Sequence, residues 1–482
     1  MQLMKLILTI LALMCSVASL QAADLMKFRI SKPYCLLNFL QTTIDANGTS
    51  STLKEYINVN VPEADSAFKK MTERFRNLRL DYSFTRDEYP VNRHRTRSTY
   101  DLIAAAAVNA TDLDDFNLRI AGILPNTSQQ QLLALLRQAE GYYDLLIWNK
   151  YLEQAHQQLQ ALQQHGKKAD KMFVKLAKFY QSGWSPNQPF TVALYLIPGI
   201  SGNTTATPHA NNLCVGVLTG ESDNIGRMSV ILHEMCHVLY DEQPDHVQHQ
   251  LEGYFAASKS PYAALANNFF DEGMATALGN GWGYKQLKGA EDTTPWYNNI
   301  YIDGFGHALY PLVSEYLEAG KAIDSSFIAR SIALFEQRFP NSVNDYGILL
   351  NRVTIYIDGE TEAERNSLMA TISKYFQVSN SNLSSPILHE YSKSSMRTAA
   401  GTQLLIVDRN FDVTQEQLAG LFPELQQLVP VTTARSWYVS FFDSMRRPVI
   451  IVKANNPEDL ESALAKMEKE RYINPSMPFH EL

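Results

Sequence analysis

Residues 228–242 read MSVILHEMCHVLYDE, a run in which two histidines and a glutamate stand among Met228, Val230, Ile231, Leu232, Met235, Val238 and Leu239. The apolar residues recur at spacings of three and four, which predicts a helix with a wide buried face. Such a face excludes ionisable groups unless they are partnered, because burying a lone charge costs several kcal/mol. On this helix His233 and His237 lie one turn apart and face the same side. Two neutral imidazoles so placed can hold one divalent metal, with Glu234 beside the open coordination position. That is the helical H-E-x-x-H arrangement, in which the glutamate acts on water. Cys236 points about 100° round the helix from His237 and reads as a small core residue.

Two histidines are one ligand short of a stable zinc site. A histidine six residues after His237 would complete one known scheme, but Gln243 holds that position and Tyr240 replaces the accompanying glycine. His246 and His249 follow Pro244, which closes the helix, and read as surface residues. The better candidate lies in PYAALANNFFDEGMATALGNG (261–281), a helix that Pro261 can start and the glycines at 279 and 281 can end. Glu272 sits in its middle among Phe269, Phe270, Met274, Ala275 and Leu278, a second carboxylate in apolar surroundings. A metal ion would partner it. Asp271 is the rival, but it points to a different face.

Outward from these helices the period changes. FTVALYLIPG (190–199) and LCVGVL (213–218) read as strands, with Gly216 marking either an edge or a close backbone approach. GNTTATPHANN between them reads as a loop. Upstream, helices are expected over EADSAFKKMTERFRNL, TYDLIAAAAVNA, a long stretch from 127 to about 165, and ADKMFVKLAKFY. Downstream, RVTIYID, QLLIVD, SWYVSFFD and RPVIIVKA read as four strands separated by helices such as PEDLESALAKMEKE. The expected class is α+β, predominantly helical, with a C-terminal α/β layer. The expected divisions are a signal peptide at 1–23, a mostly helical region at 24–125, a catalytic core at 126–325, and a helical then α/β region at 326–482.

Composition narrows the function. Of 482 residues, 45% are hydrophobic and 19% charged, an ordinary globular balance. The net charge of −8 comes without a basic block, so nucleic acid is not an expected partner. Lys5, the short apolar stretch at 6–17 and the small residues Ala22 and Ala23 form a cleavable export signal. No later run approaches the ~18 apolar residues of a spanning helix. The mature chain is therefore expected in the periplasm or secreted, without membrane contact. Cys35, Cys214 and Cys236 are too few for a disulfide framework and leave room for one bridge, Cys35 to Cys214.

HEMCH followed by DEGMATAL resembles the gluzincin metallopeptidases, whose third zinc ligand is a glutamate on a helix of E-G-x-A type. Over about residues 190–320 the resemblance implies a zincin-like core. It implies one zinc per chain on His233, His237 and Glu272, with Glu234 as general base and a peptide or protein as substrate. It also implies that LCVGVL is the edge strand along which an extended substrate lies. A tyrosine or histidine that stabilises the oxyanion is implied on a later helix, here YIDGFGHALYPLVSEYLEAG (301–320). His307 takes that role in this reading, with Asp303 one turn before to orient it, and Tyr310 and Tyr301 as alternatives. Thr276 stands one turn after Glu272 where some relatives have an acidic residue, and Asp241, one turn after His237, is the candidate to support the ligands instead. A zinc hydrolase of a non-peptide substrate and a catalytically inactive, peptidase-like binding protein stay open as alternatives.

Overall fold

The structure is a computed structural model that describes residues 25–482 except 186, 360, 410 and 430–434. The expected signal segment at 1–23 lies outside the described residues. The chain is mixed α/β and predominantly helical. It divides into two compact units. The first runs to Tyr254 and takes back Asp271–Asn298 and Gly306–Ile328; the second is Phe255–Phe270, Asn299–Phe305 and Ala329–Leu482. No helix of the described residues is long and apolar enough to cross a membrane.

The first unit holds a four-stranded sheet: β1 (Met26–Ile30), β2 (Phe190–Ile197), β3 (Ala206–His209) and β4 (Asn212–Leu218). Its order is β1-β2-β4-β3, with β1, β2 and β4 parallel and β3 antiparallel to β4. Every residue of β2 and β4 is buried, as strands covered on both faces must be. LCVGVL is therefore an inner strand, and the outer one is β3, in the segment that reads as a loop. Pro208 suits it to that place, since proline has no N–H to donate and is tolerated in a sheet only at an edge. At Gly216 a Cβ would come within 2.7 Å of the Tyr195 hydroxyl oxygen and of Ile197 Cδ1, so the glycine marks a close approach and not an edge. β1 pairs with β2, Phe28 opposite Val192, which ties the N-terminal region into the same unit as the core and removes the expected boundary at 125/126.

Two helices position the site, α1 (Asn224–Asp241) and α2 (Ala263–Ala275), and α3 (Ile300–Glu318) carries the expected oxyanion residues. α1 starts where the Asp223 side chain accepts from the Gly226 amide at 2.9 Å, covering one of the first turn's unpaired donors. α2 does not stop at its glycines. It continues as a π-turn (Thr276–Gly283) and a short α-helix (Tyr284–Lys288), and ends at Gly289 with φ 86°. The glycines serve contact instead. A Cβ on Gly279 would sit 2.4 Å from the His233 nitrogen, and one on Gly283 2.8 Å from Leu232 Cδ1.

The second unit carries a six-stranded sheet: β5 (Arg352–Tyr356), β6 (Asn380–Ser384), β7 (Thr402–Val407), β8 (Trp437–Phe442), β9 (Pro448–Lys453) and β10 (Phe479–Glu481). The order is β10-β8-β9-β7-β5-β6, with β6, β5, β7 and β9 parallel and β8 antiparallel to both neighbours. Alternate side chains serve opposite faces. Ile355, Leu404 and Ile450 pack with Leu464 and Met467 of the helix Pro457–Glu470. Tyr356, Leu405 and Ile451 pack with Leu418 and Phe422 on the other side. This double burial is why the strands read as unbroken apolar runs.

Candidate metal centre

Leu232, Met235, Cys236 and Leu239 are fully buried and anchor α1, which leaves His233 and His237 one turn apart on its remaining face. Their Nε2 atoms stand 3.1 Å apart. Glu272, reaching from α2, places Oε2 at 3.5 Å from His233 Nε2 and 3.6 Å from His237 Nε2. The three ligand atoms thus form a nearly equilateral triangle.

The outer edges of the two rings decide what this triangle can hold. His233 Nδ1 faces the Asn280 side-chain oxygen at 2.9 Å, and His237 Nδ1 faces Asp271 Oδ2 at 2.9 Å. Both Nδ1 atoms meet acceptors and so carry the ring protons, which leaves both Nε2 atoms as lone-pair acceptors. Between them lies Glu272 Oε2, buried and without a hydrogen-bond partner. Three ligand atoms converge there, an arrangement that a bound cation would satisfy. Tetrahedral bonds of about 2.0–2.1 Å separate ligand atoms by about 3.3–3.4 Å, and the triangle here matches that spacing. The residues fit a zinc ion, with two imidazoles and one carboxylate as a suitable donor set.

Without a metal, the same field retains a proton. Burial works against a charged His237, but Asp271 and then Glu272 outweigh it and hold the imidazolium well above its usual range. Burial would also raise Glu272, yet the two histidines pull its carboxyl far below the ordinary value. Glu234 goes the other way. Burial, reinforced by Glu272 and Asp271, pushes it up against the pull of both histidines.

Asp271 is the orienting carboxylate, which corrects the expectation that it turns away and that Asp241 takes this part. Asp271 and Glu272 do point about 100° apart round α2, but His237 presents a nitrogen on each edge of its ring and meets both. Asp241 instead accepts from His94 Nδ1 at 3.2 Å and Arg97 Nη2 at 3.3 Å.

The expected oxyanion residues make the following contacts. His307 is exposed on α3 and stacks on Trp296 with ring centres 3.7 Å apart. Asp303 is half-buried one turn before it. Tyr310 donates to Glu291 at 3.2 Å, and Tyr301 donates to Asp345 at 2.7 Å. The hydroxyl at the centre belongs to Tyr297, in the segment between the short helix and α3. Its ring stacks on His233 at 5.8 Å, and its hydroxyl bonds Glu272. Burial, then the Glu272 charge, raises that hydroxyl well above its usual range. An aromatic pair inside the polar TTPWYNN was the one sequence signal for it.

His249 meets the backbone oxygen of Glu88 at 2.9 Å. Cys35 and Cys214 are free and buried, so the bridge for which the sequence left room is not made; Cys236 is also free and buried. Burial pushes the Cys35 and Cys236 thiols up to about 12. Comparison of the chain with protein-family models, with curated proteins and with solved structures finds no match.

Proposed function

We propose that this chain is an exported zinc-dependent peptidase of the gluzincin kind, with a zincin-like core in its first unit. The observation that carries the reading is the convergence of ligand atoms from His233, His237 and Glu272, with Glu234 on the same helix. A zinc ion held there would act as a Lewis acid on a carbonyl and bring the pKa of water down to about 7. Glu234 then takes the proton of the attacking water and hands it to the departing amine. Its burial-raised pKa suits a group that must both accept and release a proton. The Tyr297 hydroxyl, held by the His233 stack, donates to the carbonyl oxygen as charge grows on it. β3 supports a peptide substrate: it is the outer strand of its sheet and lies against α1, so an extended chain can pair with its open edge.

The test is elemental analysis of the mature chain beside two variants, followed by a peptide-library screen. About one zinc per chain is expected, lost in Glu272→Ala and kept in Glu234→Gln, which abolishes hydrolysis. A well-folded wild type that takes up no zinc on reconstitution would overturn the proposal.

A further inference from the structure

In the second unit, the amino ends of β5, β7 and β9 and residues 261–268 enclose a cavity of about 490 Å³. Small-molecule sites occupy about 300–1,000 Å³, so this space is large enough to hold a ligand. Its walls are mainly apolar, with Leu265, Leu349, Phe442 and Pro448 among them. Arg352, Arg446 and Arg447 share the wall, and no acidic residue lines it. That is contrary to the chain's own bias, which is 50 acidic residues against 42 lysines and arginines.

Arg447 is already neutralised. Its guanidinium meets Asp443 Oδ2 at 2.6 and 2.8 Å and donates to the Ala399 carbonyl at 2.7 Å. The Asp443 Oδ1 atom also accepts the amides of Met445 and Arg447, at 3.0 and 2.8 Å, which fixes the turn between β8 and β9. This turn holds Arg446 at φ 61°, a left-handed conformation that residues with a Cβ adopt at a cost. The Arg446 side chain is exposed and has no ion-pair or hydrogen-bond partner among the described residues. Arg352 opens β5 and reaches the Asn268 side-chain oxygen at 3.4 Å.

We propose that this cavity binds a carboxylate carried on an apolar body, with the carboxylate on Arg446 and Arg352 and the apolar body against Leu265, Leu349 and Phe442. The planar guanidinium fork matches a carboxylate in two parallel hydrogen bonds. Mainly apolar walls suit a singly charged amphiphile and not a heavily hydrated polyanion. Two sources share this chemistry, the carboxy terminus of a short apolar peptide and a fatty acid. The inference stands apart from the metal centre, since no residue it uses belongs to the first unit.

The experiment is calorimetric titration of the full chain with N-acetyl-leucyl-leucine and with decanoate, each beside its neutral amide. Saturable one-to-one binding of one acid is expected, with its amide at least about tenfold weaker, as for the loss of a charge-assisted hydrogen bond. Arg446→Gln and Arg352→Gln should each weaken the acid by about tenfold with unchanged melting. Preference for the peptide identifies a peptide carboxy terminus as the source, and preference for decanoate a fatty acid. No saturable binding of either acid, equal binding of acid and amide, or wild-type affinity in both variants overturns the inference.

Discussion

Replacing Asp271 should weaken zinc binding although Asp271 is not itself placed as a ligand. Its Oδ2 lies 2.9 Å from His237 Nδ1 and keeps that ring in the tautomer with Nε2 free. Partners of this kind commonly contribute 10–100-fold in metal affinity, about 1.4–2.8 kcal/mol. Asp271→Asn keeps an acceptor and loses the charge, so about tenfold is expected; Asp271→Ala loses both, and about a hundredfold is expected. The pH dependence sharpens the test. Burial disfavours the His237 cation, Asp271 is the largest influence raising its pKa, and the metal must displace that proton. Wild-type affinity therefore climbs with pH until the raised His237 value is passed. In the variants His237 gives up its proton at lower pH, so proton competition ends sooner. The loss should be full at alkaline pH and shrink towards pH 6. In the metal-free chain the sign is opposite: the raised folded pKa contributes stability that is complete below about pH 6.5 and is lost as pH rises through the folded value. Competition with a chromophoric chelator from pH 6 to pH 9 measures the affinity. Variants that bind zinc as tightly as wild type throughout, or lose affinity equally at every pH, would refute this account of the site.

Three further outcomes follow from the geometry. Tyr297→Phe should keep its zinc and lower kcat by about 10²–10³-fold, whereas His307→Ala should stay within a few-fold; the reverse ranking in steady-state kinetics would return the oxyanion role to His307. Gly279→Ala puts a methyl 2.4 Å from the His233 nitrogen and 2.5 Å from its Cα, both backbone atoms that cannot swing aside, and should destabilise by about 1–3 kcal/mol in urea unfolding. Gly141→Ala, with nothing within 4 Å of the added methyl, is the neutral or stabilising control. Native maleimide labelling at neutral pH should leave Cys35, Cys214 and Cys236 unmodified and unfolding should expose all three; rapid native labelling would contradict their burial.

What could be read from residues alone depended on how far the pattern extended. The helices round His233 and Glu272, and the four apolar strands of the second unit, have enough turns or enough doubly buried residues to announce themselves. β3 has four residues with a proline, and β6 reads NSNLS, so neither has an apolar pattern to find. The same letter also carried two meanings. The glycines at 279 and 281 look like a helix stop, and only the neighbouring His233 backbone for the one and Trp296 ring for the other show that they are there for close approach. A helical wheel places Asp271 on another face from Glu272 but says nothing of the ring that spans both. Tyr297 lies outside any regular element, so no periodicity could find it.

The π-turn at Thr276–Gly283 makes this helix sensitive to length in a way its composition does not suggest. A π-turn closes over one more residue than an α-turn, so removing any one residue here lets the segment relax to ordinary α-helix. The helix beyond the segment, from Tyr284 on, then keeps its place relative to Glu272, while the residues inside it, Asn280 among them, are re-wound onto other positions. The Asn280 amide would leave His233 while the glutamate stayed in place. Many side chains in this stretch could be exchanged with modest effect, but a single-residue gap in an otherwise similar chain would mark one in which Asn280 no longer supports the first histidine.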